Sequence, residues 1–347
     1  MAYTNIDDPS VHFQTALYTG NGGTLAVTND GNSDLQPDWV WTKKRSDTSH
    51  HALVDSSRGA TKQIYSNLTA AEETVSGVTA FNTDGFTLGS NGTANGNGGT
   101  FVGWQWKANG GTTASNTDGT ITTTTQVNSD AGFSIVTWAG GGTGSLGHGL
   151  GEVPDMWIVK NRDYAVSWAV GFSDSSILGG TSNYLSLNTT GAIATYNNIW
   201  GSSPVNSSVI TMAGDRSVNI SGDDYVAYFF KAKQGYSKFG SYVGNGNANG
   251  AFVYTGFKPA FVMTKNTSAT DSWVIMDEKR SPSNVANKYL LANTNGAEGT
   301  NFDMFDFVSN GFKCRRATSQ NANGTFIYMA FAENPFTTST GVPTTAR

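Results

Sequence analysis

The four histidines and the single cysteine are the residues of this 347-residue chain most able to carry catalysis or bind a metal. None of the histidines stands in a motif with a catalytic partner; they are His12, His50, His51 and His148. Cys314 precedes two arginines, which could lower a thiol pKa, but it has no neighbouring histidine and is predicted to pack as a small apolar side chain. The sequence contains no GxSxG, HExxH, CxxC or Walker motif. We therefore predict a protein that is not an enzyme and needs no cofactor.

Two acidic–basic pairs and one polar loop are further candidates for ligand or metal contact. Asp55 and Arg58 occupy the same place in the sequence pattern as Asp277 and Arg280. A pair at this spacing either pins a turn or contacts a ligand. The loop at 29–34 has the oxygen-rich composition of a calcium loop but lacks the distal glutamate of an EF-hand. No metal site is predicted, and calcium binding by this loop stays open.

Nine tryptophans raise the question of a sugar-binding surface, because amphipathic aromatic rings are well suited to binding surfaces. Four of them follow the alternation expected of strand residues that face a core; these are Trp39, Trp41, Trp104 and Trp106. The other candidates for glycan or partner contact are Trp138, Trp168 and Trp200. For these three, packing in a core or an interface is the alternative.

The elements that must position these residues occur three times in the chain. An aromatic-led strand that runs into glycine opens each copy, at 13–20, 133–140 and 239–244. A proline-led strand that ends in lysine follows, at 37–43, 154–160 and 259–265. An aromatic strand closes each copy, at 101–108, 225–232 and 326–333. A period of about 100 residues is the size of a domain and too long for a solenoid repeat.

Alternating apolar residues in these strands predict which faces are buried. On each closing strand one face carries the largest apolar residues, including Trp106, Phe230 and Phe331. Because side chains alternate between the two faces of a strand, we predict that this face forms the core of its own repeat. The proline-led strands are apolar on both faces, which predicts that they are covered on both sides or lie at a domain contact.

The pattern of short strands separated by Asn-Gly-rich turns predicts an all-β chain of three tandem, homologous β-sandwich domains of jelly-roll-like form. The predicted domains are 1–110, 131–235 and 236–336, with a Thr/Gly-rich linker arm at 111–130 and a C-terminal tail at 337–347. The arm has almost nothing to bury, which predicts either a flexible segment or a segment added to a sheet as a β-strand. Since the joint at 233–238 is short, repeats 2 and 3 should pack together, while repeat 1 swings or packs elsewhere.

Composition excludes two kinds of partner. A net charge of −5 and a pI of 5.3 give no basic patch for nucleic acid. No stretch reaches the roughly 18–20 apolar residues that span a bilayer, and the amino terminus shows no signal peptide. We therefore predict no nucleic-acid binding and no membrane insertion. With a single cysteine, the chain also has no intrachain disulfide, which fits folding in a bacterial cytoplasm.

Several sequence strings resemble an uncharacterised domain that is repeated in structural proteins of tailed phages, especially marine phages and cyanophages. They include IDDPSVHFQTALYTGNG at 6–22, LQPDWVWTKKR at 35–45, FVGWQWKANGG at 101–111 and GFSIVTWAGGG at 132–142. The resemblance covers nearly the whole chain. It implies a virion protein, commonly labelled a tail fibre or a generic structural protein, that is released by host lysis. It supplies no catalytic residues.

The expected function is thus that of a non-enzymatic structural protein on the surface of a tailed-phage virion, as a tail fibre or appendage that mediates host attachment. One alternative is a capsid decoration or head-fibre protein, and another is a lectin-like module that binds a host surface glycan. The expected partners are copies of the same chain and other virion proteins, with a trimer favoured over a dimer for a tail appendage. The arm at 111–125 and the tail are poor in apolar residues and are expected to lie against such neighbours.

Overall fold

In a computed structural model, which describes residues 2–201 and 205–344, the chain is an all-β protein. Its helical segments in these ranges are single turns, namely Pro9–Val11 and Ser319–Asn321 as 3-10 turns and Gly92–Asn95 and Ser175–Leu178 as α-helical turns. None of the helices in the described ranges has the length and apolar character needed to cross a membrane. The predicted all-β class is confirmed.

The strands fall into three groups that match the three sequence copies. Repeat 1 comprises β1 (Phe13–Thr19), β2 (Leu25–Val27), β3 (Trp39–Lys44), β4 (Ala52–Asp55), β5 (Lys62–Gln63), β6 (Glu73–Thr74), β7 (Val78–Phe81), β8 (Phe86–Leu88) and β9 (Thr100–Trp106). Repeat 2 comprises β10 (Ala114–Asn116), β11 (Thr123–Asn128), β12 (Phe133–Ala139), β13 (Gly144–Gly147), β14 (Met156–Asn161), β15 (Ala169–Phe172), β16 (Asn183–Tyr184), β17 (Ala194–Thr195), β18 (Val209–Met212) and β19 (Asp224–Phe230). Repeat 3 comprises β20 (Ser237–Gly244), β21 (Phe252–Tyr254), β22 (Phe257–Asn266), β23 (Val274–Asp277), β24 (Leu290–Leu291), β25 (Phe305–Val308), β26 (Gly311–Cys314) and β27 (Gly324–Pro335).

Each repeat has a large antiparallel sheet with the same strand order. The orders are β1-β9-β3-β4 in repeat 1, β12-β19-β14-β15 in repeat 2 and β20-β27-β22-β23 in repeat 3. A smaller sheet packs on one face of each, with the orders β2-β8-β7, β13-β18 and β21-β26-β25. In repeat 1, Val40 and Val54 of the large sheet pack with Phe86 of the small sheet. The result is a two-layered sandwich in each repeat.

A hydrophobic core that draws on all three repeats lies between the large sheets. Trp39 of repeat 1 stacks on Tyr228 of repeat 2, with ring centroids 4.2 Å apart. Phe13 of repeat 1 stacks on Phe331 of repeat 3 at 5.2 Å, and Phe331 also meets Phe230 of repeat 2 at 6.1 Å. Repeat 1 is therefore packed against both of the others and does not swing.

This arrangement corrects the prediction that the aromatic face of each closing strand forms the core of its own repeat. Trp106, Phe230 and Phe331 are buried, but they belong to the core shared by the three repeats and not to separate domain cores. The inner layer of each sandwich is formed by the opposite face, which carries Val40 in β3. The proline-led strands are thus buried on both faces, as predicted, because one face meets the small sheet and the other meets the other repeats.

Of the two alternatives for the segment at 111–130, the structure agrees with the β-added one, since the segment is part of the repeat 2 sheet and not a flexible linker. β10 and β11 form an antiparallel hairpin, and β11 extends the large sheet by pairing with β12. In the tail, Ser339 donates its backbone N–H to Asp7 at 2.6 Å, and Phe336, just before the tail, packs edge-on against Tyr3. Arm and tail are therefore both bonded to other parts of their own chain. Residues 345–347 of the tail lie outside the described residues.

Candidate functional site

The three tryptophans considered as glycan or partner contacts are buried. Trp138 stacks on Tyr225 inside repeat 2, and Trp200 donates its indole N–H to the Asn183 carbonyl at 3.0 Å. Trp168 has no exposed surface and lies in the shared core. The hypothesis that these residues form an exposed stacking platform is therefore wrong, because their ring faces are already covered by protein.

The histidines and the polar loop are not brought together into a site. His50 bonds to Asn67 at 2.8 Å, and His148 faces the Asn206 carbonyl at 3.0 Å. In the loop at 29–34, Asp30 forms an ion pair with Lys279 of repeat 3 at 2.9 Å. Within residues 2–201 and 205–344, no three His, Cys, Asp or Glu side chains cluster closely enough to hold a metal ion. Cys314 is buried and packs in the repeat 3 core, as predicted.

The polar side chains instead converge at three junctions, which we call 1–2, 2–3 and 3–1 after the repeats that meet there. At each junction the residue just before the fourth strand of a large sheet bonds to a backbone carbonyl of the preceding repeat. The three bonds are Trp168 Nε1 to Tyr65 O at 2.9 Å, Trp273 Nε1 to Ser186 O at 3.0 Å, and His51 Nε2 to Leu291 O at 3.0 Å. The third bond joins repeat 1 back to repeat 3, so the repeats form a closed ring with pseudo-threefold symmetry.

At junction 3–1, His51 makes the bond that tryptophan makes at the other two junctions, because its tautomer is fixed. The indole N–H of Trp41 donates to His51 Nδ1 at 2.8 Å, so the ring proton resides on Nε2 and points to the Leu291 carbonyl. Burial lowers the pKa of His51 well below its ordinary value, and the nearby Lys43 adds to this. His51 is thus a neutral hydrogen-bond donor.

The lysines that end the proline-led strands follow the same cyclic pattern. Each ammonium group reaches a carbonyl of the preceding repeat: Lys160 Nζ to Thr69 O at 3.0 Å, Lys265 Nζ to Thr190 O at 3.2 Å, and Lys43 Nζ to Asn295 O at 3.5 Å. All three lysines are buried. Burial lowers the pKa of Lys160 to about 7 and the pKa values of Lys43 and Lys265 to about 8.

Junction 1–2 is ionic. Arg58 donates from Nε to Asp55 at 2.6 Å and from a terminal nitrogen to Glu72 at 2.8 Å. Arg162 of repeat 2 binds Glu72 in bidentate fashion, at 2.9 and 3.0 Å, and the Tyr228 hydroxyl donates to Asp55 at 2.7 Å. Burial favours the neutral form of Glu72, but the hydrogen bonds and charges of the two arginines outweigh it and hold the pKa of Glu72 below its ordinary value.

Junction 3–1 repeats this constellation with other residues. Arg280 pairs with Asp277 at 2.5 Å and with Glu298 at 3.1 Å. Arg45 of repeat 1 binds Glu298 through two bonds of 2.9 Å. The indole N–H of Trp104 donates to Asp277 at 3.0 Å, in the place of the Tyr228 hydroxyl. The predicted turn-pinning role of the Asp–Arg pairs is confirmed, since Asp55 and Asp277 also accept the backbone N–H of Arg58 and Arg280 at 2.8 Å.

Junction 2–3 replaces the ionic groups by apolar ones. The strand registers place Phe172 at the position where the other two junctions have an aspartate. They place Met329 at the position where those junctions have Tyr228 or Trp104. Ile193 takes the place of the glutamate. Its backbone N–H donates to the Thr267 carbonyl, just as the backbone N–H of Glu72 donates to the Arg162 carbonyl. Removing an entire set of buried charges avoids leaving one unpaired. This explains why repeat 2 lacks the Asp–Arg pair.

The sequence carries two signals for these junctions. The lysine that ends each proline-led strand recurs in all three copies, but by itself it does not indicate a buried contact, because a lysine at the end of a strand is normally solvent-exposed. The residue before the fourth strand is aromatic in all three copies, as His51, Trp168 and Trp273. An aromatic residue that recurs at one position of every copy indicates a repeated contact.

Comparison with curated proteins and with solved structures finds no match. A family model does match, over residues 8–335, and so covers all three repeats and the ring that they form. Its description is a domain of unknown function. By this match, the chain belongs to the DUF7483 family.

Proposed function

We propose that this protein is a non-enzymatic structural component of the surface of a tailed-phage virion, and that it acts as a tail appendage in host attachment. The observation that carries the proposal is the closed ring of equivalent bonds at the three junctions. A single chain with this ring presents three similar faces around one axis, as a trimer would. Such a unit suits a particle whose parts are built with rotational symmetry.

The use of the chemically capable residues supports a structural role. The buried arginines, lysines and carboxylates at the junctions are occupied by bonds within and between repeats. In junction 1–2, for example, Glu72 of repeat 1 binds both Arg58 of its own repeat and Arg162 of repeat 2. These groups stabilise the assembly of the repeats and are not presented to a substrate.

Decoration of the capsid is the second candidate, and the compact ring favours it. Three sandwiches around one core form a knob and not an extended shaft, and a knob can serve at a tail tip or on a head. A lectin-like role has less support, because Trp138 and Trp168 are buried in the protein.

Cryo-electron microscopy of intact virions that carry the gene, labelled with an Fab fragment against this chain, tests the proposal. We expect extra density at a fixed place on the particle, and its position on tail or head decides between the two candidates. Particles that bind no Fab, while the same Fab detects the chain free in the lysate, would refute a virion role. An unrelated Fab of the same isotype is the control.

A further inference from the structure

Each junction contains a groove beside the first strand of the following repeat's large sheet. At junction 1–2 this groove is filled by β11 of the same chain. β11 pairs with β12 in antiparallel register, with Gln126 opposite Ile135. The Gln126 amide also reaches across the junction and donates to the hydroxyls of Ser56 and Ser57 of repeat 1, both at 2.9 Å. A polar extended segment is thus seated between two repeats.

The equivalent groove at junction 2–3 is open among the described residues. The segment between β9 and β12 is long enough to supply the hairpin of β10 and β11, whereas β20 begins at Ser237, soon after β19 ends at Phe230. Repeat 3 therefore has no arm, and β20 is the edge strand of its sheet. A groove of about 400 Å³ runs along it.

The backbone of β20 is arranged to accept another strand. Ala332 donates its N–H to the carbonyl of Tyr236. From this bond and the strand register, the even-numbered residues of β20 bond to β27. Because bonding alternates along an antiparallel strand, Phe239, Ser241 and Val243 direct their N–H and C=O groups into the groove. In repeat 2 the positions equivalent to Phe239 and Ser241 are those that pair with β11.

The groove beside β20 is lined by residues of repeats 2 and 3. Phe252 and Tyr254 of β21 form one wall and are each about half exposed, at 50% and 49%. Asp174 and Ile177 of repeat 2 form the other wall. In the filled groove of junction 1–2, the strand that pairs at the corresponding place is the extended segment β11.

We propose that β20 binds an extended segment of another polypeptide as an added antiparallel strand. The expected chemistry of that segment is that of 123–128 in the filled groove, with small hydroxyl and amide side chains and a backbone that supplies the hydrogen bonds. The groove would bind such a strand whether or not the chain is a virion protein.

The probe is an acetylated peptide with the sequence of residues 120–130, TITTTTQVNSD, added in excess to the full chain. Hydrogen exchange of the amides in 237–244 should slow by about tenfold on saturation. A control peptide with proline in place of Thr124 and Gln126 should have no effect, because it lacks the N–H groups that pair with the edge.

The variant Ser241→Pro should abolish the peptide effect and leave the melting temperature nearly unchanged, since this N–H has no partner among residues 2–201 and 205–344. Leu17→Pro, at the equivalent position of β1, should keep the effect at β20. The proposal is overturned if the peptide slows no exchange in 237–244, or if Ser241→Pro binds as well as the parent. Protection that appears without peptide and grows with protein concentration also overturns it, because the occupant is then a second copy.

Discussion

Replacing Arg58 by Met should destabilise the protein by about 3–5 kcal/mol, because it removes one partner from a buried ion pair. Arg58 and Asp55 both have side chains with no exposed area, and the pair distance is 2.6 Å. Without the guanidinium, Asp55 keeps only the Tyr228 hydroxyl and the backbone N–H at position 58. Glu72 is less affected, since Arg162 still binds it through two hydrogen bonds.

The loss can be measured by thermal and chemical denaturation followed by circular dichroism. For a chain of 347 residues, a cost of this size lowers the melting temperature by about 4–7 °C, given an unfolding entropy of roughly 2 cal/mol/K per residue. Arg280→Met at junction 3–1 should behave alike, because its pair with Asp277 is equally buried. If both variants melt within about 1 °C of the parent, the pairs are solvated and the repeats are not packed as described.

A compensated variant separates lost pairing from lost packing. Junction 2–3 shows which residues can replace the ionic set, since Phe172, Ile193 and Met329 stand at the equivalent positions. Combining Arg58→Met with Asp55→Phe, Glu72→Ile, Tyr228→Met and Arg162→Thr, the residue that Thr267 matches in repeat 3, removes the whole polar set. This combination should recover part of the stability, because apolar replacement of a whole buried ion pair is often neutral. A combined variant less stable than Arg58→Met alone would contradict the equivalence of the junctions.

Three further predictions concern the same contacts. Below about pH 7 the three buried lysines are protonated in both the folded and the unfolded state. As the pH rises through their lowered pKa values, the folded state releases protons before the unfolded state does. The free energy of unfolding should therefore increase from pH 7 to about pH 10. Denaturation midpoints across this range should show the rise, and Lys160→Met should make it smaller. A double-mutant cycle on Arg45→Ala and Glu298→Ala should give a coupling of about 0.5–3 kcal/mol across junction 3–1, whereas additive effects would mean that repeats 1 and 3 do not meet. Trp168→Phe should cost about 1–3 kcal/mol, because the buried Tyr65 carbonyl loses its donor, and an unchanged melting temperature would argue against that bond.

The three copies, their strands and the two-sided burial of the proline-led strands could be predicted from the sequence. Alternation shows that a strand has two faces, but it does not say which face meets the small sheet and which meets another repeat. In β3 both faces are apolar, with Trp39 on one and Val40 on the other. Side-chain size alone predicts that the bulkier face forms a domain core, whereas in the structure this face fills the wider space between the three large sheets.

The junctions could be predicted only in part. The Asp–Arg pairs were recognised, because the spacing of Asp55 and Arg58 is local. Their partners Tyr228 and Trp104 lie 173 residues away in sequence from Asp55 and Asp277, respectively, and no local pattern connects them. The composition of the arm at 111–130 leaves a flexible linker and a β-added segment both open, because its threonines offer little to bury. Its pairing with β12 depends on backbone hydrogen bonds, which side-chain composition does not reveal.

Small-angle X-ray scattering of the monomeric chain tests the closed ring most directly. Three repeats packed around one core should give a radius of gyration of about 20 Å, the value for a compact domain of this length. A string of three separate sandwiches joined end to end would give about 28 Å, given roughly 13 Å for each sandwich and about 30 Å between neighbours. A value near 20 Å agrees with the ring that the bonds of Trp168, Trp273 and His51 close, and a value near 28 Å would contradict it.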